Sequence, residues 1–126
     1  MKVLRYRRKD KEGIGILEND TIIPLHKFCA VNNIKESVKS LIENWDTLEK
    51  LIIEYIALKK DAFHLDQNIL LAPIPYPEKF LAIGMNYKKH RAESIDAGIT
   101  PPRNQMWFTK QVSCINDPNG DIIKPE

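Results

Sequence analysis

Three prolines alternate in Pro73-Ile74-Pro75-Tyr76-Pro77, and no other feature constrains the fold of this chain as strongly. Each proline holds φ at about −65° and lacks the amide hydrogen that a helix interior or central strand uses. Each also pushes the residue before it out of the helical region. The run must therefore be extended, and it divides the sequence into residues 1–70 and residues 71–126. A PxxP-type peptide ligand is the other use of such a run, but a stiff connector between packed units is the simpler reading.

Before the divider, short alternating segments predict a three-stranded meander. Val3–Arg7 is the first strand, Asp10-Lys11-Glu12-Gly13 a turn, and Ile14–Leu17 the second strand. Glu18-Asn19-Asp20 is a hairpin signal, and Thr21–Ile23 is a third strand stopped by Pro24. The period then changes. Ile34, Val38, Leu41, Ile42 and Trp45 recur at helical spacing behind Asn33, a candidate N-cap with Glu36 three residues on. Leu48, Leu51, Ile52, Tyr55 and Leu58 form a second stripe behind Asp46. Trp45 and Tyr55 lie in these stripes and read as core. A meander with two helices makes an α+β unit near the lower size limit for independent stability.

Charge excludes some functions. The formal net charge of +2 is too weak for an electrostatic nucleic-acid reader. The basic N-terminal run around Arg5, Arg7 and Arg8 alternates with Leu4 and Tyr6 and so reads as a solvated strand face. No apolar run has the length of a membrane span or signal sequence, so no membrane partner is expected. Cys29 and Cys114 match no metal spacing and suggest reduced thiols in a cytoplasmic protein.

After the divider, Phe80–Ile83 reads as a strand ended by Gly84, followed by a short helix from Asn86 that Gly98 can close. Met106–Lys110 is another strand, Asp117–Gly120 a turn, and Asp121–Lys124 a last strand. Within the helix, His90 and Glu93 share a face at i and i+3. A carboxylate holding one imidazole nitrogen leaves the other oriented to take a proton from water, the architecture of a general base. Such pairs are common on surface helices, so spacing alone does not single this one out. His26 and His64 match no motif.

The string from Pro75 to Glu93, containing Gly84-Met85-Asn86-Tyr87 and His90-Arg91-Ala92-Glu93, resembles the fumarylacetoacetate hydrolase family. That family's pattern is a proline-rich lead-in, an apolar strand, G-x-N-Y, then H-x-x-E. Pro101-Pro102, the F-x-K-x-x-S string Phe108–Ser113, the turn at Asp117–Gly120 and Ile122-Ile123-Lys124-Pro125 extend the match, which covers about residues 72–126. Residues 1–70 look like the small N-terminal domain that many members carry, without a diagnostic motif. The implied fold is an α+β meander unit followed by the start of a mostly β catalytic domain.

The resemblance implies that His90 and Glu93 are the catalytic dyad, carried on a lid helix. They would activate a water that attacks a carbonyl of an acylpyruvate or related 2-oxo acid and cleaves a C–C bond. Lys110 would suit a substrate carboxylate, although a solvated strand-end lysine is an equally good reading, and Ser113 is a weaker pocket candidate. Gly84 would allow a tight turn into the lid, shaped by Asn86 and Tyr87. Members use Mg²⁺ or Mn²⁺ held by an E-x-E motif and a later aspartate, and full-length members form homodimers. Those ligands belong downstream of the Ile122-Ile123-Lys124-Pro125 segment. The expectation is therefore a truncated catalytic domain, without metal ligands in this chain and inactive alone. The alternative is a non-catalytic product, or a subunit completed by another chain.

Overall fold

The computed structural model describes residues 1–65 and 69–124, which form two compact units. Residues 1–75 with 116–126 make the first and residues 76–115 the second. Pro125, at the end of the family match, lies outside the described residues.

The first unit is built on β1 (Lys2–Arg8), β2 (Lys11–Glu18) and β3 (Thr21–Pro24). All pairings are antiparallel, and β4 (Phe63–His64) and β5 (Ile69–Leu71) extend the sheet to the order β4-β3-β2-β1-β5. Two-residue turns set the register. Lys9 and Asp10 have φ of 48° and 61°, and Asn19 and Asp20 have 45° and 60°. Left-handed geometry at both central positions twists a hairpin to match its strands. The second turn falls where Asn19-Asp20 predicts it. The first does not: Lys11, Glu12 and Gly13, expected in the turn, belong to β2. Gly13 serves close approach there, since a Cβ would stand 2.9 Å from the Tyr6 hydroxyl.

Three helices follow, α1 (His26–Val31), α2 (Val38–Glu43) and α3 (Trp45–Ala57). Helix α1 is six residues long with no side-chain cap, too short to leave a periodic signature. Helix α2 starts later than Asn33 implies. Asn33 is left-handed with φ of 53°, and Ser37 is the N-cap, its hydroxyl accepting from the Ser40 amide at 3.1 Å. Glu36 instead accepts from the Ile14 amide at 3.4 Å. The core joins Ile14 and Ile16 to Leu25, Phe28, Cys29, Val38, Leu41, Leu48 and Ile52, with Trp45 and Tyr55 packed against it half-buried. Ile42, Leu51 and Leu58, counted in the apolar stripes, are exposed. Burial pushes the Cys29 thiol up to about 11, making it a packing group and a poor nucleophile.

Arg5 and Arg7 of the basic run lie on the open face of β1, opposite buried Tyr6, with Arg7 and Arg8 exposed and Arg5 largely covered. Arg5 is 17% exposed and donates to the Ala72 carbonyl at 2.8 Å and to Glu12 at 2.6 Å. Arg7 donates to the same carboxylate at 2.8 Å, and Arg8 lies 4.3 Å over the Phe63 ring. The bonds from Arg7 and Arg5 hold the Glu12 carboxyl below its usual range. All three arginines are thus engaged inside the unit.

Within the second unit, β6 (Leu81–Gly84) pairs antiparallel with β7 (Met106–Thr109), and the Lys110 amide adds a bond to the Phe80 carbonyl at 2.8 Å. Helix α4 (Lys88–Asp96) follows β6, and a 3₁₀ turn spans Val112–Cys114. Gly98 closes α4 as predicted. Its φ is +78°, its amide bonds the Ile95 carbonyl, and the Ile99 amide bonds that of Ser94. The left-handed residue between β6 and α4 is Met85, with φ of 52°, and not Gly84. The strand expected at Asp121–Lys124 does not form. Ile122 and Ile123 are almost fully exposed, and a short β-branched run makes a strand only where a partner strand meets it.

Candidate functional site

The residues singled out by sequence all lie in the second unit. Helix α4 projects His90 and Glu93 to the same side, as i, i+3 spacing requires. The His90 Nδ1 to Glu93 Oε2 distance is 4.0 Å, beyond a hydrogen bond, and the two side chains are 62% and 61% exposed. Glu93 is shared: Lys89 Nζ stands 3.9 Å from its other carboxylate oxygen. The Ser94 hydroxyl donates to the His90 carbonyl at 2.9 Å, anchoring the turn that carries the histidine. The pair is aligned but not locked.

Lys110 and Ser113 do not join the pair in a cavity. Lys110 Nζ lies 5.7 Å from the centre of the Phe80 ring, a cation–π contact, and Ser113 is exposed on the 3₁₀ turn. Asn86 and Tyr87 flank the start of α4, with the Tyr87 ring exposed.

The second unit does contain a cleft of about 230 Å³ between the end of β6, the first turn of α4 and residues 101–105. Its charged lining is Lys88, Arg91 and Arg103, with Asn86, Asn104 and Gln105 beside them. None of His90, Glu93, Lys110 or Ser113 lines it. Sequence reading passed over these cations because lysine and arginine on a short helix are ordinary. Arg103 reaches the cleft only through the tertiary fold. One signal was present: Lys88-Lys89-His90-Arg91 opens a helix with no acid in its first turn.

Among the described residues no three of His, Cys, Asp or Glu come together to hold a metal ion. A divalent cation of the kind used by the family therefore has no fitting donor set among them. No helix of the described residues is long and apolar enough to cross a membrane.

No family model matches the chain. Individual relatives do. The Rattus norvegicus protein named oxaloacetate tautomerase Fahd2a, mitochondrial, is 25% identical over 113 residues, covering 90% of this chain and 33% of its own length. A fumarylacetoacetate hydrolase domain-containing protein 2 homolog of Dictyostelium discoideum is 28% identical over 120 residues, covering 93% of this chain and 37% of its own. A 2,4-didehydro-3-deoxy-L-rhamnonate hydrolase of Sphingomonas sp. (strain SKA58) is 33% identical over 54 residues, 43% of this chain and 18% of its own. The chain thus spans between a third and two fifths of the first two relatives. Similarity to proteins of this kind over most of the chain supports the resemblance carried by residues 72–126.

Proposed function

We propose that this chain supplies the lid segment of a fumarylacetoacetate hydrolase-type site, with His90 as general base and Glu93 as its orienting carboxylate. The observation that carries the reading is the placement of His90 and Glu93 on one face of α4, directly after the Gly84–Tyr87 junction. Glu93 stands on the Nδ1 side of the ring, which leaves Nε2 to take a proton from water. The hydroxide attacks a carbonyl of an acylpyruvate-type 2-oxo acid, the adjacent C–C bond breaks, and a carboxylate and an enolate leave. The proton held by His90 then quenches the enolate carbon. Closing the pair from 4.0 Å to hydrogen-bond distance needs only side-chain rotation, and a bound substrate excluding water would favour it. The described residues offer no set of ligands for a metal ion.

A second reading rests on the names of the relatives. The rat protein is named as a tautomerase of oxaloacetate. The same base could move a proton between carbon and oxygen of a 2-oxo acid without breaking a C–C bond. A base and its orienting acid serve both chemistries, so substrate decides between them. Placement in the cytoplasm stays part of this proposal; the unpaired Cys29 and Cys114 suit a reducing compartment, cytosolic or mitochondrial.

The test measures pyruvate release from acetylpyruvate and enol loss from oxaloacetate, each with Mg²⁺. It uses the chain alone and the chain mixed with the separately expressed remainder of a related domain. We expect no turnover by the chain alone and complementation by the mixture. His90→Ala should lower the complemented rate about 100-fold or more, the usual scale of a general base. Full activity of His90→Ala in the mixture would end the dyad reading.

A further inference from the structure

The cleft beside α4 has a composition that the dyad does not use. Lys88 and Arg91 come from the helix and Arg103 from the 101–105 loop, and all three line one space of about 230 Å³. No carboxylate lines it, and none of the three cations forms an ion pair with a described residue. Of the two carboxylates on α4, Glu93 is turned to Lys89 and His90, and Asp96, in the last turn, does not line the cleft.

Position on the helix separates the two sites. At about 100° per residue, Lys88 and Arg91 point to nearly the opposite side of α4 from His90 and Glu93. The cations also sit where a helix tolerates them least. Its N-terminal end carries the positive half of the macrodipole, so Lys88 and Arg91 in the first turn oppose it. Nothing in the described structure offsets that repulsion. A bound anion would, and the amide groups of Asn86, Asn104 and Gln105 stand ready as neutral hydrogen-bond donors.

We propose that Lys88, Arg91 and Arg103 form a binding site for a compact dianion, a phosphate group or a small dicarboxylate, on the side of α4 away from His90. Two guanidinium forks and an ammonium match two negative charges held on neighbouring oxygens. A cleft of about 230 Å³ is large enough for a phosphate group or a small dicarboxylate. Binding there anchors the helix whose other side bears the dyad. The site stands without the activity proposed above, since it is read by binding and not by turnover.

The experiment titrates the full 126-residue chain with inorganic phosphate, malonate or acetate at constant ionic strength, following backbone amide shifts. We expect saturable shifts at residues 86–91 and 101–105 with phosphate or malonate, and at least tenfold weaker binding of acetate. The stronger of the two dianions identifies a phosphorylated or a dicarboxylic ligand. Arg91→Glu and Arg103→Glu, both at exposed positions, should each weaken binding tenfold or more with an unchanged circular dichroism spectrum. Lys89→Glu should change it less than twofold, and His90→Ala should leave it intact although it removes the base. Absent saturation, equal loss in Lys89→Glu, or loss in His90→Ala would each overturn the site.

Discussion

The two units use equally ordinary sequence to opposite ends. In the first, nine buried residues from a sheet strand, the segment after the sheet and three helices close on one another. In the second, Ser94 is the one buried residue among those described, while Leu81, Met106, Trp107 and Phe108 hold 44–57% of their surface open. Apolar content does not make a core; a second layer does. Strands β6 and β7 pair with each other and present large side chains that no described layer covers, whereas β2 has helices over it. An uncovered face of this kind is what a two-stranded sheet cannot afford on its own.

The widest test of that contrast is truncation. Ile52→Ala, at a fully buried site, should cost about 2–5 kcal/mol, because it removes buried surface and leaves a cavity. Trp107→Ala, though it deletes a larger side chain, should cost under about 0.5 kcal/mol, as exposed substitutions do. Urea denaturation of both variants, read by far-ultraviolet dichroism, decides. Similar losses would mean that the second unit has a packed interior after all.

A finer test compares two glycines. A Cβ at Gly15 would meet the Ile22 side chain at 2.8 Å and the Ile23 carbonyl at 2.9 Å, and backbone cannot swing away. Gly15→Ala should cost about 1–3 kcal/mol by overpacking. At Gly84 the obstacle is the Met106 terminal methyl at 2.6 Å, the far end of a flexible chain beside open space. Gly84→Ala should therefore cost well under about 1 kcal/mol, with thermal melting as the readout. A larger loss at Gly84 than at Gly15 would reverse the ranking of the two units.

The same contrast explains which parts could be read from sequence. Hairpin residues Asn19-Asp20 and the helix stop at Gly98 were legible because their backbone geometry is set by the residues themselves. The two- and three-residue strands β4 and β5, by contrast, exist only through pairing with β3 and β1. Ile122-Ile123 shows the reverse error, a β-branched pair that meets no strand among the described residues. At the candidate site, i, i+3 spacing and family motifs found His90 and Glu93. The cation cleft needed Arg103 brought to Lys88 and Arg91, and no local pattern encodes that meeting.

The bond from the Ala72 amide to Asp117 Oδ1, at 2.7 Å, ties the returning chain to the first unit and closes a loop 45 positions long. Holding a loop of that length shut while its residues are unfolded costs about 3 kcal/mol in chain entropy. A single such bond offsets roughly 1–3 kcal/mol, charge included. The tie therefore does not outlast disorder of residues 76–115. Exchange at the Ala72 amide becomes a gauge of order in a segment to which it does not belong. It should track the opening of α4 under rising urea, and exchange only with Ile14 and Ile16 in global unfolding would show that the loop's entropy does not reach it.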